Sequence, residues 1–277
     1  MSRRYSAGSL VAEGLRGHVG WTPAWTSPKL KPAYDFVIVG GGGHGLATAY
    51  HLAKTHGAKS VAVIEKGWLG GGNTGRNTVT IRSNYFFPES VALYDFALRG
   101  YERLSAELNY NIMFSQRGIV TVAHSDAEME IAARLVNAML LNGTDAELLT
   151  RSQVLAKAPL LNVSDSARYP VFGGVWQGRA GVARHDAVAW GYARAASALG
   201  VDIVQTCEVT GFLVEGGRCV GVETALGTVR AGAVGLAVAG HSSVLAKQAG
   251  FELPVRSYAL QAMVSEPVKP CLDTILL

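Results

Sequence analysis

The chain has 277 residues, of which 49% are hydrophobic, and this supports one large packed domain or two smaller ones. The formal charge of +4 is mild and the lysines and arginines are scattered, which excludes the basic footprint of a nucleic-acid-binding protein. The longest apolar stretch, 231–240, is half of the roughly 20 residues that a membrane-spanning helix needs, so no membrane partner is predicted. Three cysteines without a CxxC pair predict reduced thiols and a cytoplasmic protein.

Residues 1–33 lack hydrophobic periodicity and are predicted to form an extension before the first domain. Regular structure begins with YDFVIVGGGGHGLATAYHLAKTHGAKSVAVIEKG, which predicts a strand, a glycine turn, a helix and a second strand. The short apolar runs at 36–39 and 61–64 are typical of parallel strands that are buried on both faces. Between them, a helix that ends at Gly57 is predicted from apolar residues at helical spacing, which are Leu46, Ala49, Tyr50 and Ala53.

The glycine turn carries the pattern of a dinucleotide-binding site. Gly40, Gly42 and Gly45 fit GxGxxG, in which the glycines allow a tight turn, close approach of a pyrophosphate and close packing of helix on strand. The phosphates are expected at the helix N-terminus, where backbone amides and partial positive charge meet them. Glu65, twenty residues past Gly45, is expected to bind the ribose hydroxyls. A glycine turn that serves packing alone is the alternative, but it does not explain Glu65.

The segment after Glu65 indicates which dinucleotide binds. The sequence KGWLGGGNTGRNTVTIRSNY predicts a glycine-rich loop where a nicotinamide-binding domain has a crossover helix. Its amides and side chains offer donors to a second polar or anionic part of a cofactor. The polar residues concerned are Asn73, Thr74, Arg76, Asn77 and Thr78. This pattern resembles the FAD-binding domain of the D-amino-acid oxidase type; the alternative is that the loop is merely mobile.

The rest of the chain predicts a second lobe and a return to the first. The predicted elements are helices at 88–108 and 125–141, a strand at 118–124, and short strands within 201–239. The last of these strands is expected to end at Gly240, in a turn to a helix that Ser242 or Ser243 caps.

A histidine precedes another predicted helix, in GVARHDAVAWGYARAA. Asp186 is the predicted N-cap and Gly200 the predicted end of this helix. Its expected buried face consists of Val188, Tyr192, Ala195 and Leu199. A histidine near a helix start is more often a solvated or capping residue, so spacing alone gives His185 no further role.

Several blocks of sequence resemble the beta subunits of heterotetrameric sarcosine oxidases. The blocks are VIVGGGGHGLATAYHLAKTHG, VAVIEKGWLGGGNTGRNTVTIRSNY, FSQRGIVTVAH, AGVARHDAVAWGYARAA, CEVTGF and AGHSSVLAKQAGFELP. The resemblance implies an α/β fold, with a Rossmann-like FAD-binding domain of the D-amino-acid oxidase/glutathione reductase type and an incomplete α+β substrate lobe. The implied layout is an extension at 1–33, the FAD-binding domain at 34–115 and 184–252, and the substrate lobe at 116–183 and 253–277.

The same resemblance implies two flavins. FAD is held noncovalently, and FMN lies at the junction with an alpha subunit. FMN is bonded covalently to the histidine that matches His185, beside Arg184. The residues implied for FAD are Gly40, Gly42, Gly43, His44 and Gly45 at the pyrophosphate, Glu65 at the ribose, Val209 at the adenine, and Asn73, Thr74, Arg76, Asn77 and Thr78 along the rest.

The activity implied by the resemblance is oxidative demethylation of sarcosine to glycine. A hydride passes to FAD, electrons pass on to FMN, and oxygen is reduced to hydrogen peroxide. The imine is passed to tetrahydrofolate or yields formaldehyde. The implied partners are the alpha, gamma and delta subunits of the oxidase.

The family differs from this chain in its length. Its members continue well beyond residue 277, so the chain is expected to be truncated at its C-terminus and its catalytic residues are not placed. Two alternatives stay open. One is a single-FAD amine or amino-acid oxidase or dehydrogenase in which His185 is unmodified, and the other is a noncatalytic FAD-binding chain.

Overall fold

The structure is a computed structural model that describes residues 6–20 and 23–277. The predicted extension at 1–33 therefore includes residues 1–5 and 21–22, which lie outside the described part. The chain divides into two compact units. The first unit comprises 1–77, 108–110 and 185–261, and the second comprises 78–107, 111–184 and 262–277.

Helices and strands alternate through most of the described chain. The helices are α1 (Ala7–Leu15), α2 (Gly43–Thr55), α3 (Pro88–Leu108), α4 (Asp126–Leu141), α5 (Arg151–Lys157), α6 (His185–Ala198) and α7 (Ser242–Gln248). The strands are β1 (Ala33–Val39), β2 (Val61–Ile64), β3 (Thr80–Ile81), β4 (Ile119–Ala123), β5 (Glu147–Thr150), β6 (Gly173–Gln177), β7 (Gly181–Val182), β8 (Asp202–Val204), β9 (Val209–Glu215), β10 (Arg218–Thr224), β11 (Gly227–Leu236) and β12 (Ile275–Leu276). None of the described helices is both long and apolar enough to cross a bilayer.

The first unit is built on a six-stranded sheet in the order β8-β2-β1-β11-β10-β9. Strands β8, β2, β1 and β11 are parallel, whereas β10 runs antiparallel to both β11 and β9. Val37 of β1 is fully buried and pairs with Ala62 on one side and Val234 on the other. The parallel strands direct their carboxyl ends to one edge, which is where doubly wound folds bind ligands.

Helix α2 packs on this sheet through the face that the sequence predicts. Leu46, Ala49 and Tyr50 are buried, while Ala53 is half-buried. Gly57 follows the helix at φ +67°, a left-handed conformation in which glycine ends helices without a steric penalty. The prediction of a strand, a glycine turn, a helix and a strand is thus confirmed.

Helix α6 buries Val188 as predicted, but the rest of its buried face differs from the predicted one. Ala189, Ala193 and Ala196 are fully buried, whereas Leu199 is 45% exposed and lies beyond the end of the helix. The physical reason is that small side chains let α6 approach its neighbours closely. The larger Tyr192 instead meets the ring of Tyr50 from α2 edge-on, at 5.6 Å between ring centroids.

Two predicted helix caps are wrong. Asp186 is the second residue of α6, and its Oδ1 accepts from the backbone N of Ala187 at 2.8 Å. Ser242 is the first residue of α7, and its hydroxyl donates to the carbonyl of Ala239 at 2.7 Å instead of accepting from a helix amide. A short 3₁₀ turn, Ala239–His241, separates β11 from α7, so both serines lie inside the helix.

The second unit contains a four-stranded sheet in the order β12-β4-β6-β5 and a separate pairing of β3 with β7. The predicted helices at 88–108 and 125–141 are confirmed as α3 and α4. Ser125 caps α4 by accepting from the backbone N of Glu128 at 3.2 Å. Gln177 is fully buried in β6, where it donates to the Ser83 hydroxyl at 2.6 Å.

Candidate functional site

The glycine turn between β1 and α2 has a backbone that other residues do not fit. Gly40 lies at φ +107°, and a Cβ there would collide with the carbonyl of Ala237. A Cβ on Gly45 would overlap the carbonyl of Gly40, so the third glycine permits the close approach of helix to strand. A Cβ on Gly42 would come 3.0 Å from the Thr74 hydroxyl. These constraints are those expected of a dinucleotide-binding turn.

Glu65 lies directly after β2 and is bonded to the backbone on both sides. Its Oε2 accepts from the backbone N of Gly41 at 2.7 Å, and its Oε1 accepts from the backbone N of Gly67 at 2.8 Å. Each carboxylate oxygen has a further lone pair, so the group retains capacity to accept from hydroxyls. The two amides fix the orientation of the carboxylate beside the turn.

The loop after Glu65 is hydrogen-bonded to the glycine turn. The backbone N of Gly43 donates to the Thr74 hydroxyl at 3.0 Å, and the backbone N of Gly70 donates to the carbonyl of Gly41 at 3.0 Å. Asn77 closes the loop on itself by donating to the carbonyl of Thr74 at 2.6 Å. The loop is therefore tied in place by the same turn whose amides are expected to meet phosphates.

The turn, Glu65 and the loop enclose a cavity of about 1040 Å³ in the first unit. Ten predicted cofactor-binding residues line it: Gly40, Gly42, Gly43, His44, Glu65, Asn73, Thr74, Arg76, Asn77 and Val209. Gly45 is buried behind the turn and serves packing, while Thr78 begins the second unit. A volume just above the usual range of roughly 300–1,000 Å³ for ligand pockets suits a large cofactor.

Other lining residues were not among the predicted cofactor-binding residues. They are Thr48, Ile64, Lys66–Trp68, Gly71, Gly72, Cys207, Glu208, Val39, Leu236–Ala239, His241, Ser242, Val244, Leu245 and Gln248. Those at 236–239 are the last residue of β11 and the three residues after it, and β11 is the direct neighbour of β1 in the sheet. The sequence pattern that could have indicated these residues is that of two buried parallel strands, because their carboxyl ends lie at one edge of the sheet.

His185 is the first residue of α6, and its side chain is 30% exposed. Its Nδ1 atom is buried and makes no hydrogen bond to any described residue. The nearest carboxylate oxygen, Oδ1 of Asp186, lies 4.0 Å away, beyond hydrogen-bonding distance. Buried polar atoms almost always have a partner, so the lack of one at this nitrogen is unusual. Arg184, the preceding residue, has an exposed side chain.

Comparison with known families gives one extended match. Residues 35–275 match the family model described as FAD dependent oxidoreductase. A solved structure of L-proline dehydrogenase from P. horikoshii superimposes with a TM-score of 0.74 and is 27% identical, over 80% of this chain and 57% of that one.

Two relatives are much more similar in sequence. Sarcosine oxidase subunit beta from Rhodobacter capsulatus is 54% identical, over 99% of this chain and 66% of that protein. Sarcosine oxidase subunit beta from Arthrobacter sp is also 54% identical, over 91% of this chain and 62% of that protein. The chain thus spans slightly less than two thirds of the length of these curated relatives.

Proposed function

The chain belongs to the family of FAD-dependent oxidoreductases, and from this premise we propose that it acts as the beta-type subunit of a two-flavin sarcosine oxidase. The observation that carries the proposal is the 54% identity to sarcosine oxidase subunits beta. The cavity beside the glycine turn agrees with it, because its lining residues are those expected of an FAD-binding fold. The general activity is flavin-dependent oxidation of a CH–NH donor, and the specific reaction proposed below is an example of it.

The residues of the cavity fit FAD. The backbone from Gly40 to Gly45 would hold the pyrophosphate. Its glycines have no side chains to keep the phosphates away from the backbone, and the N-terminus of α2 lies within it. Glu65 would accept from the ribose hydroxyls while its two backbone bonds keep it oriented. Val209 would contact the adenine, and four polar loop residues that line the cavity would contact the remainder of the cofactor; these are Asn73, Thr74, Arg76 and Asn77. When bound, FAD supplies the acceptor for a hydride from the substrate.

We assign His185 and Arg184 to a second flavin, FMN, with His185 as the point of covalent attachment. The support is the resemblance of this segment to the beta subunits, together with the orphaned Nδ1 of His185, a buried ring nitrogen whose hydrogen-bonding capacity no described residue meets. The Arg184 guanidinium supplies a positive charge next in sequence that suits the phosphate of FMN. Asp186 places a carboxylate oxygen 4.0 Å from Nδ1.

The proposed overall reaction converts sarcosine, oxygen and water into glycine, formaldehyde and hydrogen peroxide. Tetrahydrofolate is the alternative acceptor of the one-carbon unit, in place of water. The two flavins supply the path for the electrons from substrate to oxygen. The proposed partners are alpha, gamma and delta subunits, and the proposed location is the cytoplasm.

Turnover by the assembled protein tests this activity. The chain is purified with its partner subunits, and sarcosine-dependent peroxide and formaldehyde are measured together with the amounts of FAD and FMN per chain. We expect one FAD, one FMN and equal yields of peroxide and formaldehyde. FAD alone with turnover would indicate a single-FAD oxidase or dehydrogenase, and FAD without turnover would indicate a noncatalytic binding chain.

A further inference from the structure

A tryptophan is held open to solvent on the turn that follows Glu65. The indole of Trp68 is 67% exposed and lines the cofactor cavity. The next side chain, Leu69, is buried, so the turn places one large apolar group inside and the other outside. Exposure of an indole forfeits the free energy of burying it, and an exposed aromatic group in a cavity therefore suggests a contact with a ligand.

The position of Trp68 is fixed by hydrogen bonds that the three residues after it donate. The backbone N of Leu69 donates to the Gln205 side chain at 3.0 Å, and the backbone N of Gly70 donates to the carbonyl of Gly41 at 3.0 Å. The turn also closes on itself, because the backbone N of Gly71 donates to the carbonyl of Trp68 at 3.0 Å. The indole is thus presented by an ordered backbone, which lowers the entropic cost of a stacking contact.

Gly71 leaves the space that the indole of Trp68 occupies. A Cβ on Gly71 would lie 2.7 Å from both Nε1 and Cε2 of Trp68. The indole therefore rests against the bare backbone of Gly71, and any larger residue would displace it. Gly71 also lines the cavity, so the ring lies at the cavity wall.

Trp68 belongs to the end of the cavity where Glu65 lies. The backbone N of Thr206 donates to the carbonyl of Gly67 at 3.0 Å, and the backbone N of Cys207 donates to the carbonyl of Glu65 at 2.9 Å. These bonds join the turn of Trp68 to the chain that leads into Val209. With the ribose at Glu65 and the phosphates at α2, the group that reaches this end of the cavity is the adenine.

We propose that the indole of Trp68 stacks on the adenine of the bound dinucleotide and makes the cavity selective for an adenosine-containing cofactor. This inference rests on the proposed function, since it takes the ligand of the cavity to be FAD. Stacking of a base on an aromatic side chain changes affinity by about tenfold or more. A stacking contact involves only the base. Loss of the indole should therefore lower the affinity for a ligand that contains the base and leave the affinity for the sugar and phosphates unchanged.

A cycle of ligand and side-chain truncation tests the proposal. The full chain is titrated calorimetrically with FAD, ADP and ribose 5-diphosphate, which is ADP without its base. The variants are Trp68→Ala, Trp68→Phe and the control Trp190→Ala; Trp190 is 40% exposed on α6 and lies outside the cavity lining. We expect Trp68→Ala to weaken ADP about tenfold and to leave ribose 5-diphosphate unchanged. Trp68→Phe should retain most of the affinity for ADP, and the control should bind both ligands as the wild type does.

The outcomes separate this inference from the proposed function. If Trp68→Ala weakens both ligands equally, the indole supports the turn and does not recognise the base, and the inference is overturned. It is equally overturned if ADP binds to Trp68→Ala as tightly as to the wild type. If the wild type binds neither FAD nor ADP, the FAD proposal itself fails and the inference falls with it.

Discussion

The carboxylate of Glu65 stabilises the wall of the cavity through two hydrogen bonds. The carboxylate accepts hydrogen bonds from the backbone N of Gly41 and of Gly67, so it stabilises the fold even without a ligand. A neutral amide in its place offers one acceptor atom and one donor atom. One of the two backbone N–H groups then faces another donor, which leaves a polar group unsatisfied.

The Glu65→Gln variant is therefore expected to lose stability as well as cofactor affinity. An unsatisfied polar group of this kind costs about 1–3 kcal/mol in free energy of unfolding. Urea unfolding of the ligand-free protein and FAD titration measure the two effects. Glu208→Gln is the matched control, because Glu208 is an exposed carboxylate that lines the same cavity. Equal unfolding midpoints for Glu65→Gln and wild type would contradict the bonding described for this carboxylate.

Gly118 in the second unit combines a left-handed backbone with a close neighbour. It lies at φ +68°, and a Cβ on it would overlap the indole of Trp176. The ammonium group of Lys157 lies over this indole, 3.7 Å from a ring centroid. The indole therefore has little freedom to retreat from a new methyl group.

We expect Gly118→Ala to destabilise the protein more than Gly143→Ala does. Gly143 has φ +75°, but no described atom lies within 4 Å of a Cβ placed there. Both changes carry the backbone penalty of about 1–2 kcal/mol, and only Gly118→Ala adds an overpacking term of about 1–3 kcal/mol. The difference in free energy of unfolding between the two variants measures that term. Equal losses would show that Trp176 moves freely.

At the scale of elements, an ion pair joins the segment after β6 to helix α3. The Nε and Nη2 atoms of Arg179 donate to the two carboxylate oxygens of Glu102 at 3.0 and 2.9 Å. These hydrogen bonds hold the pKa of Glu102 below its usual range and raise the pKa of Arg179. The pair is partly exposed, so its worth is at most about 1 kcal/mol.

The sign of this pKa shift predicts an acid-dependent loss of stability. A carboxyl group with a lowered pKa in the folded state stabilises the fold above its unfolded pKa of about 4.3, and this contribution is lost as the pH falls through the folded pKa. Glu102→Gln should therefore be less stable than wild type at pH 7, and the gap should narrow below about pH 4. Urea unfolding at both pH values measures the gap, with Glu147→Gln, an exposed site on β5, as the control. A gap that is independent of pH would contradict the ion pair.

The elements differ in how far the sequence could predict them. β2 and α2 follow from local patterns, since a buried strand and an amphipathic helix next to a glycine turn each have a short-range signature. The buried face of α6 does not, because Ala189 and Ala193 are buried by close helix packing and their small side chains give little hydrophobic signal. Trp68 was missed for a related reason: its exposure is set by hydrogen bonds that the turn donates to Gln205 and Gly41, and both acceptors are remote in sequence.

At the scale of the molecule, the cavity of the first unit and the orphaned nitrogen of His185 are separate features of one chain. The chain spans slightly less than two thirds of the length of its curated relatives, which are themselves subunits by name. The dinucleotide cavity follows from local geometry. The role of His185 rests on its orphaned nitrogen together with the resemblance to those subunits, so this residue carries the central claim of the account.

The most direct test is the mass of the tryptic peptide that begins at His185. Cleavage after Arg184 and Arg194 releases HDAVAWGYAR from protein that has been purified with its partner subunits and denatured in acid. The account predicts that this peptide carries FMN, that FAD is released into the acid supernatant, and that the variant His185→Asn yields only unmodified peptide. An unmodified wild-type peptide, with all flavin recovered as free FAD, would contradict the two-flavin assignment.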